Sequence, residues 1–161
     1  MPTLSVGTSA QSRQRGITLI EMLVVMALLA LIAAMSAPSI SAGLDTLRLR
    51  SSSDAIVGFL NSALSRADSR QQAVEIVISP GDGTLLARSS DGAFEKRLEI
   101  TSPVKILSVR PALADGEQGA ARRFLVYPGG SAPKIAIEIA NDKGRTRTVS
   151  VDPITGVPNA R

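Results

Sequence analysis

Residues 15–38 read RGITLIEMLVVMALLALIAAMSAP, and the rest of the chain is interpreted from this stretch. Between Ile17 and Ala37 a single charge, Glu21, interrupts an otherwise apolar run. At about 1.5 Å per residue the run makes a helix of about 30 Å, the thickness of a bilayer's hydrocarbon core. Arg13 and Arg15 precede it, and no basic residue follows until Arg48. That asymmetry predicts one span with its N-terminus in the cytoplasm and the remainder of the chain outside.

A cleaved signal peptide is the alternative for a basic start followed by an apolar core. The run is longer than the core of an ordinary signal peptide, although the small residues around Ala33–Ala37 imitate a cleavage site. Glu21 fits that reading least. A carboxylate inside a spanning segment is costly unless it meets a partner, which marks Glu21 as a functional residue. The plainer reading is that it snorkels to the nearby interface. Pro38 closes the apolar run and either bends a continuing helix or ends it.

The pattern beyond Pro38 favours continuation. From Ser41 to Gln72, Leu44, Leu47, Ile56, Leu60, Ala63, Leu64 and Ala67 recur at spacings near three and four. This predicts an amphipathic helix over 38–72 whose stripe packs on a sheet. After residue 72 come short β-prone runs: 73–79, 84–88, 94–100, 104–109, 122–127, 134–139 and 145–151. Pro80–Gly83 and Ser90–Gly92 read as tight turns, and Asn141–Gly144 as the turn of a hairpin. Residues 111–121 read as a surface loop.

Composition narrows the chemistry. The 161 residues fit one domain, 44% hydrophobic and 20% charged, with mean hydropathy +0.18. The absence of Cys and His excludes disulfides, Cys/His metal sites and His-dependent nucleophilic triads. A net charge of +4 raises nucleic acid or an anionic membrane as partners. The basic residues are interspersed with acids, however, and one Tyr with no Trp makes no base-stacking platform. The loop acids Asp82, Asp91, Asp115, Glu117, Asp142 and Asp152 lack the Asp-x-Asp-x-Asp spacing of a calcium loop. Gly81-x-Gly83 has no helix after it to make a phosphate loop. Neither a cofactor nor a metal is expected, and no constellation supports an enzyme.

Gly16-Ile17-Thr18-Leu19-Ile20-Glu21, preceded by Arg15 and followed by the apolar helix, resembles the signal of type IV pilins and type II secretion pseudopilins. The resemblance implies cleavage after Gly16 by a prepilin peptidase and methylation of the new amine on Ile17, where the family usually has phenylalanine. It also implies that Glu21 pairs with such an amine as subunits assemble. Leu19, Ile20, Leu23, Val24, Leu28 and Leu31 would then supply helix-to-helix packing, and Pro38 would sit at the family's usual distance from the cut.

Ala63–Ala67, Phe124–Gly130 and Val149–Val157 are similar to segments of the H-type minor pseudopilin group and its pilus relatives. The implied fold is α+β and pilin-like, a long N-terminal helix packed on antiparallel β-sheets. Its parts are a leader, 1–16; a transmembrane part, 17–37; an amphipathic half, 38–72; and a β-rich periplasmic domain, 73–161. The implied role is a minor subunit near the tip of a pseudopilus at the bacterial inner membrane. Partners would be the peptidase, other minor and major pseudopilins, the inner-membrane assembly platform and a secreted substrate. The alternative is a minor pilin of a type IV pilus that initiates assembly or contacts DNA. Lys143, Arg145, Arg147 and Arg161 are the candidate contacts in that case.

Overall fold

The computed structural model of the chain describes residues 18–112 and 119–161, the side chains at 35–42 excepted. One helix, α1 (Leu19–Arg70), precedes the strands, and the chain divides into two units, Met1–Ile40 and Ser41–Arg161. Position 38 is helical despite its proline.

In the first unit, Leu19, Ile20, Leu23, Val24, Leu28 and Leu31 are all exposed, as are Met22, Val25, Met26, Leu29 and Ile32. At 100° per residue these side chains point in every direction, so the helix is apolar all round. Among the described residues no helix is long and apolar enough to cross a membrane. The sequence-predicted span, 17–37, runs past the described side chains at both ends.

The second unit joins the rest of α1 to eight strands. These are β1 (Val74–Ser79), β2 (Thr84–Ser89), β3 (Glu95–Glu99), β4 (Val104–Arg110), β5 (Arg122–Val126), β6 (Ala136–Asn141), β7 (Thr146–Val151) and β8 (Pro158–Ala160). They form two four-stranded antiparallel sheets, ordered β3-β2-β1-β5 and β4-β6-β7-β8. Val74, Ile76 and Ile78 alternate inward on β1, as do Leu85 and Ala87 on β2. Ile137 and Ile139 on β6 and Val149 and Val151 on β7 do the same in the second sheet. Side chains of α1 join these two faces into one core. The fold is therefore α+β, a long N-terminal helix packed against antiparallel sheets.

The helix stripe differs from its sequence reading. Leu49, Ser53, Ile56, Leu60, Ala63 and Ala67 are buried at spacings of four and three, with Phe59 beside them. Leu44 and Leu47 are 49% and 63% exposed and lie off this face. Ser53 was passed over because serine is polar. Its hydroxyl donates to the Arg50 carbonyl at 2.8 Å, which satisfies it without an outside partner.

All seven β-prone runs become strands with ends within a residue or two, and Asn141–Gly144 turns β6 into β7. The Asn141 carboxamide oxygen accepts the N–H groups of Lys143 and Arg145, shaping that turn. β8 was missed because three residues give no periodicity to read. Gly83, in the turn before β2, has φ +64° and its carbonyl accepts the Ile100 N–H. A Cβ there would lie 2.7 Å from the Ile100 carbonyl oxygen, so the position requires glycine.

The corrected stripe makes a quantitative expectation. Ile56→Ala empties a fully buried site and should cost about 2–5 kcal/mol. Leu47→Ala, on the exposed side, should stay within about 0.5 kcal/mol of wild type. Urea unfolding of the two variants checks the difference; equal losses would return Leu47 to the core.

Candidate functional site

The amino-terminal motif starts with a helix cap. Thr18 stands just before the first helical residue, and its Oγ1 accepts the Glu21 N–H at 3.3 Å. The Thr18 carbonyl accepts the Met22 N–H at 3.2 Å. Thr18-x-x-Glu21 is thus one half of a capping box, a hydroxyl satisfying an N–H that the first turn leaves unpaired. It also sets Glu21 in the first helical turn, where the aligned peptide dipoles favour negative charge. Thr18 had a readable signal, threonine three residues before glutamate, that the sequence reading did not use.

Glu21 is exposed, and among the described residues its carboxylate has no ion-pair partner. An acid held in the first turn of an apolar helix can receive a cation from outside its own described surroundings. Gly16 and Ile17 lie outside the described residues, and so does the side chain of Pro38.

The four basic residues near the C-terminus separate into two pairs. The Lys143 ammonium lies 2.7 Å from the half-buried Asp45 carboxylate, and the Arg145 guanidinium donates to the Thr46 hydroxyl. Both contacts tie the tip of the β6–β7 hairpin to α1 within the second unit. Arg147 and Arg161 are placed differently. Arg161 exchanges both backbone hydrogen bonds with Thr148, each 2.9 Å, which sets it on the face of the sheet opposite to Arg147. Asp45 and Thr46 lie about a hundred residues away in sequence from the hairpin, and no local pattern announces them.

The hydrogen bond from Lys143 holds the Asp45 carboxyl below the usual carboxylate range, with Lys143, Arg48 and Arg145 adding attraction and burial opposing it. Asp91 and Asp152 are lowered as well. The Ser89 hydroxyl and Ala93 N–H donate to Asp91, and the Ile154 and Thr155 N–H groups to Asp152. These acids shape turns. Among the described residues no three acidic side chains converge on a common metal position.

Residues 11–37 match the family described as the prokaryotic N-terminal methylation motif. The chain thus carries a type IV pilin-like N-terminal methylation motif, consistent with the broader pilin and pseudopilin superfamily. No curated protein and no solved structure matches the chain.

A depressed carboxylate pKa gives stability that is present above the unfolded value of 3.8 and is lost as pH falls through the lower folded value. Lys143→Ala should therefore lower the urea midpoint at pH 7. Its difference from wild type should shrink below about pH 4 and in high salt. A difference independent of pH would mean that Lys143 contributes packing rather than charge.

Proposed function

We propose that the chain is a minor pseudopilin of a type II secretion system, a non-enzymatic subunit placed near the tip of the periplasmic pseudopilus. The methylation motif over 11–37 carries this reading. In this proposal the precursor enters the inner membrane with its N-terminus cytoplasmic. Prepilin peptidase cuts after Gly16 and methylates Ile17. Other minor and major pseudopilins, the inner-membrane assembly platform and a secreted substrate are the partners.

Physical chemistry supports each step. A helix apolar on every side is unstable in water and finds a suitable neighbour in lipid or in other helices. Removing residues 1–16 would leave a positive amine one residue before the Thr18 cap, close to the first turn that holds Glu21. In an apolar surrounding an unpaired carboxylate and an unpaired amine are both costly, so pairing between them favours assembly. The exposed Leu19, Ile20, Leu23, Val24, Leu28 and Leu31 supply the packing surface.

The intact mass of the protein from membranes tests this, with and without active prepilin peptidase, for wild type and Gly16→Ala. The expected result is peptidase-dependent loss of residues 1–16 with one added methyl group, abolished by Gly16→Ala. An uncut chain, or a cut near Ala37, would overturn the reading.

The pilus alternative has one observation in its favour: among the described residues Arg147 and Arg161, unlike Lys143, make no ion pair. If the chain contacts DNA there, binding should weaken steeply between 50 and 200 mM salt, roughly as the number of phosphates engaged. Arg147→Ala with Arg161→Ala should lower both the affinity and the salt slope. Lys143→Ala should have less effect, because Asp45 already neutralises that ammonium. Absence of salt-sensitive binding removes the alternative.

A further inference from the structure

Each sheet has two edge strands whose outward N–H and C=O groups offer a template for another strand. Three of these four edges carry a block. β3 is charged at Glu95, Lys96, Arg97 and Glu99. β4 exposes Lys105, and its pairing with β6 shifts at Leu107, an extra residue between Ile106 and Ser108. β8 is three residues long and opens on Pro158.

β5 is charged only at Arg122 and Arg123, and its remaining residues, Phe124, Leu125 and Val126, carry no block. Arg122–Val126 pairs with β1 in unbroken register, without proline or bulge, and Leu125 is 54% exposed. Among the described residues its backbone bonds to no strand but β1.

The strand's two ends differ in chemistry. Arg122 has no carboxylate partner among the described residues; its guanidinium lies 5.9 Å from the centre of the Phe124 ring. Arg123 reaches Glu75 at 3.6 Å and stays largely exposed, a geometry worth little in water. The other end runs into an open groove of about 440 Å³ whose walls include Leu64, Tyr127, Ile154 and Val157. Ile154 is 92% exposed, yet its loop is held by the paired hydrogen bonds to Asp152. An apolar side chain on a fixed loop loses little entropy when covered.

We propose that β5 is a docking edge for an extended segment of a partner protein. The segment adds as a strand, with acidic side chains beside Arg122 and Arg123 and an apolar side chain in the groove at Tyr127. Main-chain bonds supply the affinity, and the arginines and the groove select the segment. A second copy of β5 fits less well: paired antiparallel to itself, it sets Arg122 opposite Val126 and leaves the guanidinium without a carboxylate. The inference rests on the second unit alone and does not depend on the secretion reading.

The test uses the full chain in detergent micelles and a fluorescein-labelled peptide of about eight residues, a length suited to one strand. Its sequence is Glu-Glu-Val-Thr-Val-Thr-Val-Thr, whose adjacent acids face the two sides of the sheet as Arg122 and Arg123 do. One control peptide carries N-methyl groups on alternate amides, which blocks strand pairing while keeping every side chain. Another replaces Glu with Lys. Anisotropy should show binding by the acidic peptide at least about tenfold tighter than by either control, and a similar loss with Arg122→Glu. Amide hydrogen exchange should slow at alternate residues of 122–126. Equal binding by the N-methylated or the Lys peptide, protection on β4 instead, or no binding at millimolar peptide would each overturn the proposal. The N-methyl control alters only the peptide, so a folding defect in the variant cannot imitate its outcome.

Discussion

One helical face holds the second unit together. Leu49, Ser53, Ile56, Leu60, Ala63 and Ala67 repeat every three or four residues along α1, and both sheets turn their apolar sides toward the core they join. Without that face, Val74, Ile76 and Ile78 of one sheet and Ile137, Ile139 and Val149 of the other would lose their cover. The residues shrink along the helix, from leucine, isoleucine and phenylalanine to alanine, so the later turns can approach the sheets more closely. Polar ties then set the rotation of the helix. Asp45 and Thr46 hold the β6–β7 hairpin near one end. Farther along, the Lys96 ammonium donates to Ser62, Arg66 lies over Phe94, and the Gly129 N–H donates to Asp68. Each tie is modest in water. Their value lies in excluding other rotations of a helix that the apolar contacts alone would hold less uniquely.

The two units satisfy opposite demands. The second covers its large apolar residues with its own sheets and helix. In the first, Leu19 through Ile32 has no internal layer to cover it, and every large apolar side chain is exposed. Such a surface requires a medium or neighbours of low polarity. Glu21 then becomes the chemically distinctive atom group of the unit, held in place by a cap that needs only Thr18 and the helix itself. The cap fixes the backbone of Glu21 in the first turn and needs no tertiary structure to do so.

Much of this architecture was legible in the sequence because its signals are periodic. The β-prone run at 134–139 gave a strand, and the Asn141–Gly144 turn gave the hairpin. The helix was also legible, but its face was not. Leu44 and Leu47 satisfy helical spacing as well as Leu49 does, and only the placement of the sheets decides which leucine is covered. Ser53 was hidden by its polarity and β8 by its brevity. At the candidate site the motif around Gly16 and Glu21 was readable since it is local. The roles of Lys143 and Arg145 were not, because Asp45 and Thr46 come from a distant part of the chain. A basic cluster in sequence thus contains two residues committed to fastening a hairpin.

Leu107 has a consequence for how this chain tolerates changes in length. Val104 and Ile106 face the core at even positions, whereas Val109 faces it at an odd one. The parity changes because Leu107 has no partner on β6. Deleting that single residue would restore plain alternation through Val104, Ile106 and Val109 without turning any of them outward. The strand would keep its core contacts and become straighter, while losing the irregularity that discourages edge pairing. Leucine at this position is 52% exposed and lies outside the core; the break in register that it makes works against pairing at this edge of the sheet. A shortened chain could therefore fold with the same interior and still fail through self-association, a fault that a stability measurement on dilute protein would not detect.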